Sequence, residues 1–367
     1  MIKKEYNIYR SEAATFELAL DELLAAMTVA DREILRITLF GAPNDNEEYV
    51  TERDYFERSC AEHFGERCPM MGYVAQAPLR YTLAAEVMSI SREDACRVVR
   101  CGDYITIGDE IISAGIYAPL GQHIGQQSEH IFARIAQILD AEGITAADIV
   151  RQWNYIEKIT HMSEEGQHYQ LFNDARSHFY DACSWRNGYP AATGIGTQAG
   201  GVTVLFDAVR GSDSCSKAVD NPLQISAHAY SQQVLINNTQ AHKTTPKFER
   251  ARYVQGADSM VYISGTAAIR GEESCRENAV EQTRLTMENI DYLISEQNLV
   301  NSGVETPGTM IYASLRAYLK HRSDLGSVVE WMESNYPTVD VLYLWADICR
   351  EELLIEIEGI ANNKTNN

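Results

Sequence analysis

Two adjacent carboxylates, Glu272 and Glu273, close the run VYISGTAAIRGEES over residues 261–274. The run begins as an apolar strand, steps through glycine and small residues, and ends in charge. A glutamate donates a proton near neutral pH only if desolvation or a neighbouring negative charge raises its pKa. The apolar approach and the adjoining Glu272 both push Glu273 that way. A carboxylate at the mouth of a strand is otherwise a solvated loop charge, and the run alone leaves both readings open. Other reactive residue types point to less. GIGTQAGG contains a Gly-x-Gly, but the β-like VTVLF follows it where a dinucleotide fingerprint needs a helix. His161, His168 and His178 lack the i, i+4 spacing and cysteine partners of a metal site. Cys275 has no activating base nearby in the sequence, so it reads as an ordinary thiol.

The elements that must position such residues follow from patterning. A chain of 367 residues with 45% apolar and 23% charged residues is long enough for two domains. Its net charge of −21 argues against nucleic acid or an anionic membrane surface as partner; an anionic ligand would need a local arginine cluster. The N-terminal stretch predicts an amphipathic helix near residues 15–29, with charges too frequent for a signal sequence or a membrane span. Eight cysteines without a CxxC pair are expected to be reduced thiols in a cytoplasmic protein. The terminal NNKTNN is expected to be disordered.

Two stretches share one order of elements. In the first, strand 110–118, helix 128–143, strand 149–156 and helix 166–180 lead to the strand pair YPAATGIGT and GVTVLFDAVRG. In the second, strand 260–268, helix 277–297, strand 309–319 and helix 325–336 lead to YPTVDVLYLW and ELLIEIEGIA. Ser113 to Pro190 spans 77 positions and Ser264 to Pro337 spans 73. This predicts an α+β fold of two β-α-β-α-β-β repeats, with helices covering one face of each sheet. Residues 1–212 would hold an N-terminal extension plus the first repeat, and residues 213–367 the second repeat with its tail.

That order resembles the Rid (YjgF-like) superfamily, which shares the fold of trimeric chorismate mutases and binds ligands in clefts between neighbouring domains. Its deaminases hold a substrate carboxylate with an arginine on the proline-led strand; Ala192 and Val339 stand there instead. Six ordered segments, VRQWNYI, YQLFNDAR, YPAATGIGT, NPLQISAHAY, PKFERA and ISGTAAIRGEES, more specifically resemble the chorismatase family. These enzymes release pyruvate from chorismate and leave a dihydroxycyclohexadiene carboxylate or a hydroxybenzoate. The resemblance implies Glu273 as catalytic acid, Arg176 and Arg250 as carboxylate holders, and Tyr155, Thr193, Gly194 and Thr266 lining the substrate cleft. It implies a small dianionic partner, no metal and no organic cofactor, in a monomer or small homo-oligomer. The sequence departs from the family pattern at Glu272, where histidine is common, at Glu157–Lys158, and within Ala227–Ser231, where the element's usual basic residue is replaced. The alternative is a non-catalytic small-molecule-binding protein of the same fold.

Overall fold

The structure, a computed structural model, describes residues 2–229 and 244–363. Its first unit runs β1 (Lys4–Ser11), α1 (Phe16–Met27), β2 (Arg32–Phe40), α2 (Asn46–Phe64), β3 (Met70–Val74) and β4 (Leu83–Ser91). Thr15 caps α1, and the Asp45 carboxylate accepts the first free N–H groups of α2. The sheet order is β1-β4-β2-β3.

The second unit carries edge strands β5 (Val98–Arg100) and β6 (Tyr104–Ile107), then β7 (Glu110–Ser113) and β8 (Ile116–Tyr117). It continues through α3 (Ile124–Ala141), β9 (Ile149–Glu157), α4 (His168–Tyr180), β10 (Ala191–Thr197) and β11 (Val202–Val209). The strand expected over 110–118 is therefore split. Gly115, at φ +59°, turns the chain where a side chain would strike the Met71 carbonyl and Tyr117. β10 and β11 do not pair with each other, because β9 lies between them in the order β10-β9-β11-β7.

The third unit opens with α5 (Ser212–Cys215) and edge strands β12 (Ser216–Val219) and β13 (Ala251–Val254). There follow β14 (Met260–Ala267), the hairpin β15 (Ile269–Arg270) and β16 (Glu273–Ser274), α6 (Ala279–Ile294) and α7 (Glu296–Asn301). β17 (Ile311–Leu319), α8 (Leu325–Asn335), β18 (Val341–Trp345) and β19 (Ile355–Asn362) complete it. The helix expected over 277–297 breaks at Ser295, whose extended backbone and side chain cap α7. Asn362, placed in a disordered tail by the sequence, ends β19 in register with Met260, and residues 364–367 lie outside the described residues.

The two predicted repeats are present, and the N-terminal extension is a third unit of the same design. All three sheets share one order: β1-β4-β2-β3, β7-β11-β9-β10 and β14-β19-β17-β18. Each unit buries a helix-facing core of its own, for example Leu20, Leu23, Ile37 and Phe56 in the first. The opposite sheet faces meet in a common core holding Phe40, Trp153, Tyr155, Tyr262, Tyr318 and Leu344. Burying both faces of each sheet explains strands such as β2 and β11 that are almost continuously buried.

A cyclic set of ion pairs ties the units at this common core. Arg36 of the first unit pairs with Asp207 of the second at 2.5 Å, Arg151 of the second with Glu358 of the third, and Arg316 of the third with Glu86 of the first at 3.3 Å. The arginines stand on equivalent strands β2, β9 and β17, and the carboxylates on β4, β11 and β19. All three guanidinium groups lie over the Trp153 ring, 4.6–5.6 Å from its centroid. Such buried charges are tolerated only when paired.

Candidate active site

A cleft open to solvent lies between the second and third units. From the second unit it takes Gln167, Tyr169, Asn173 and Arg176 of α4 and its approach, and Ala192 and Gly194 of β10. From the third come Arg250, Gly265, Ala267 and Ile269, the loop residues Cys349, Arg350 and Leu353, and Glu356 of β19.

Strand alternation decides which neighbours reach the cleft. On β10, Ala192 and Gly194 face it, while Thr193 between them faces the common core. On β14 the register shifts between Ile263 and Thr266. Tyr262 and Met260 sit in the common core before the shift; Gly265 and Ala267 take that side after it. Gly265 is required for space, because a side chain there would collide with Glu356 Oε1.

The three inter-unit junctions are related by equivalent positions, yet they differ in side-chain size. Arg36, Arg151 and Arg316 pair in register with Met70, Ala191 and Leu342. The residues one and three farther on are Met71 and Tyr73, Ala192 and Gly194, and Tyr343 and Trp345. Small residues therefore occur only where the cleft is. Two residues before the ring carboxylates Glu86, Asp207 and Glu358 stand Ala84, Leu205 and Glu356, so only this junction carries an acid.

Glu356 is buried, and loss of solvation, followed by the charge of Glu358, pushes its carboxyl up to about 8; Arg250 and Arg151 act in the opposite direction. It is consequently a neutral acid at pH 7. Cys349 beside it is a neutral thiol, pushed up to about 12 mainly by burial. Arg176, 2% exposed, donates from Nη2 to Asn173 Oδ1 at 2.6 Å, and its Nε has no hydrogen-bond partner among the described residues. Arg250 donates to the Ile225 carbonyl at 2.6 Å. Its backbone is fixed between the second and third units: Glu249 N–H donates to the Pro190 carbonyl and Ser264 N–H to the Arg250 carbonyl. Arg350 donates to the Glu272 carbonyl and Ser274 Oγ, at 3.0 and 3.1 Å.

The sequence-predicted residues divide accordingly. Arg176, Arg250 and Gly194 line the cleft. Thr193 sits one layer behind, bonded to Arg151 and Glu358. The Tyr155 hydroxyl accepts from Arg316 at 2.6 Å in the common core, and Thr266 donates to the Ser264 carbonyl at 2.9 Å; neither lines the cleft. Glu273 is exposed on β16, paired with Arg270, and is not among the cleft residues. Its segment contributes Gly265, Ala267 and Ile269 instead. Tyr230 and Ser231 of the departing element lie outside the described residues.

Sequence reasoning missed Glu356, Asn173, Tyr169, Cys349 and Arg350. The one available signal was IEIEG, with two glutamates at alternate positions of an apolar strand. Among the described residues, no group of three histidine, cysteine or acidic side chains is arranged to hold a metal ion, and no helix is long and apolar enough to cross a membrane.

A three-unit scaffold whose cleft between the second and third units sets arginines beside a buried carboxyl of raised pKa has the layout of an enzyme acting on a small anion. Residues 85–208 match the family described as chorismatase FkbO/Hyg5-like, N-terminal. A 3-hydroxybenzoate synthase of Streptomyces hygroscopicus is 30% identical over 267 residues, covering 70% of this chain and 75% of that protein. A chorismatase of Streptomyces rapamycinicus is 33% identical over 222 residues, 58% of this chain and 63% of its own length. A chorismatase crystal structure superposes with a TM-score of 0.71 at 21% identity, over 98% of this chain and 99% of that one. The chain belongs to the chorismatase family.

Proposed function

We propose that this protein cleaves the enolpyruvyl ether of chorismate, with Glu356 as the general acid. The observation that carries the reading is a buried carboxyl, neutral at pH 7, in the wall of a cleft that also presents Arg176, Arg250 and Arg350. Chorismate is a dianion bearing an enol ether. Protonation of its vinyl methylene by Glu356 gives an oxocarbenium ion and leaves a glutamate anion. Water adds to that cation, and the resulting hemiketal collapses to pyruvate and the ring alcohol. Loss of a further water from the ring would give a hydroxybenzoate.

Arginines suit the two carboxylates because a planar guanidinium donates two parallel hydrogen bonds to each. They also concentrate positive charge locally within a chain of net charge −21. The acid role first laid on Glu273 passes in this reading to Glu356, because the donor must reach the substrate. Thr193, Tyr155 and Thr266 act behind the cleft wall rather than on the substrate. The protein works in the cytoplasm as a monomer or small homo-oligomer, without a cofactor. Incubation with chorismate, measuring pyruvate and the ring product together, tests the reading. Pyruvate in step with ring product is expected; binding without pyruvate release would identify a non-catalytic binding protein.

A further inference from the structure

Glu358 shares the inner face of β19 with Glu356, two residues along the strand, and neighbours the acid without lining the cleft. Its surroundings differ from those of its two counterparts in the ion-pair ring. Asp207 meets one arginine, Arg36, and the Tyr262 hydroxyl. Glu86 meets Arg316 and the Ser314 hydroxyl. Glu358 meets two arginines, Arg151 and Arg316, and accepts from the Thr193 and Tyr318 hydroxyls. The doubled clamp thus occurs at the one ring position beside an acid.

We propose that Glu358 is a positioning residue for the reaction: a fixed anion, clamped by Arg151 and Arg316, that keeps the neighbouring Glu356 carboxyl in its neutral, proton-donating form. This rests on the reading of Glu356 as the acid. The two arginines and two hydroxyls hold Glu358 ionised despite complete burial, and that fixed charge disfavours a second one on Glu356. The other charged or titratable groups around Glu356 are Arg250 beside β14, Arg151 of β9, Tyr169 and Arg176 of α4, and Cys349 and Arg350 of the loop after β18. The cations favour ionised Glu356, whereas Tyr169 and Cys349 are neutral at pH 7, so burial first and then Glu358, the one charged group acting with it, oppose them. The same ring that ties the three units together therefore sets the state of the acid.

The test compares Glu358→Gln, Glu358→Asp and Arg151→Gln with the unmodified protein. The readouts are the pH dependence of kcat/KM and a pH-difference infrared titration of the carboxylic acid C=O band that Glu356→Gln abolishes. Glu358→Gln should move both titrations to lower pH by about one unit or more while keeping kcat near its full value at pH 5.5. Glu358→Asp should restore the midpoint. Arg151→Gln removes a cation that favours ionised Glu356 and should shift it to higher pH, the opposite direction; if Glu358→Gln fails to fold, a Glu358→Asp midpoint that departs from the unmodified one by about a unit or more overturns the proposal. Unmoved midpoints, an even loss at every pH, or shifts of one sign in both variants would overturn the proposal. The infrared titration needs no substrate, so it stands even if chorismate proves inert.

Discussion

The carboxyl of Glu356 occupies the space that a side chain on residue 265 would fill. Gly265 lies on β14 and Glu356 on β19, adjacent antiparallel strands of the third unit. That carboxyl is held against bare backbone at the cleft wall, and the missing side chain is what lets it sit there.

Gly265→Ala is therefore expected to displace the acid. The added methyl meets Glu356 first and Thr193 next, both on well-packed strands. Turnover of chorismate should fall by ~100-fold or more, the scale of losing a positioned acid, while circular dichroism stays unchanged. Wild-type turnover in this variant would show that Glu356 is not held as described.

Glu356→Gln and Glu273→Gln should separate cleanly. The first removes the donor and should cost at least ~100-fold in kcat; the second alters an exposed hairpin residue and should leave kcat within about twofold, as surface substitutions usually do. Stability gives an independent reading of the same group. A carboxyl raised from 4.5 to about 8 binds its proton more tightly when folded. Its contribution is complete below pH 4.5 and is lost as pH rises towards 8. At ~1.4 kcal/mol per unit, the protein should lose on the order of 5 kcal/mol across that interval. Glu356→Gln should flatten this part of the profile in denaturant titrations at successive pH values.

Arg176→Ala or Arg250→Ala should each weaken binding of a chorismate-like dianion by roughly 1.5–3 kcal/mol, the range for hydrogen bonds to charged groups. Calorimetry with a non-hydrolysable analogue would measure it. Unchanged affinity in both variants, with the fold intact, would place the anion elsewhere.

Asp207→Ala probes the scaffold rather than the chemistry. It leaves Arg36 buried beside Trp153 without its carboxylate. Breaking one partner of a buried pair costs about 3–5 kcal/mol, so the denaturation midpoint should fall sharply. A simultaneous Arg36→Met substitution should recover part of the loss, since it removes the stranded charge.

Element order was largely legible in the sequence. The 3.6-residue periodicity of α3 and α6 and the apolar runs of β9, β14 and β17 mark helices and strands through local side-chain geometry. The N-terminal unit escaped notice as a repeat because the ordered motifs begin after it. Its α2 is strongly polar, ERDYFERSCAEHF, with only Tyr49, Phe56 and Cys60 buried. Arg176 and Arg250 were reachable because both lie in distinctive motifs and both face the cleft.

What the sequence determined by itself was the family pattern, the α+β class and two of the cleft cations, since each is written in neighbouring residues. Which glutamate lies buried in the cleft wall was decided only by tertiary structure. IEIEG reads as a strand with a wet face, because alternating glutamates normally point to solvent. Here that face is buried in the common core, where Arg151 and Trp153 reach it from the second unit and Arg316 from the neighbouring strand β17, all distant along the chain. Burial and long-range charge, which no local pattern encodes, hold Glu358 as an anion and push the Glu356 carboxyl towards its neutral form, while Glu273 lies exposed on its hairpin.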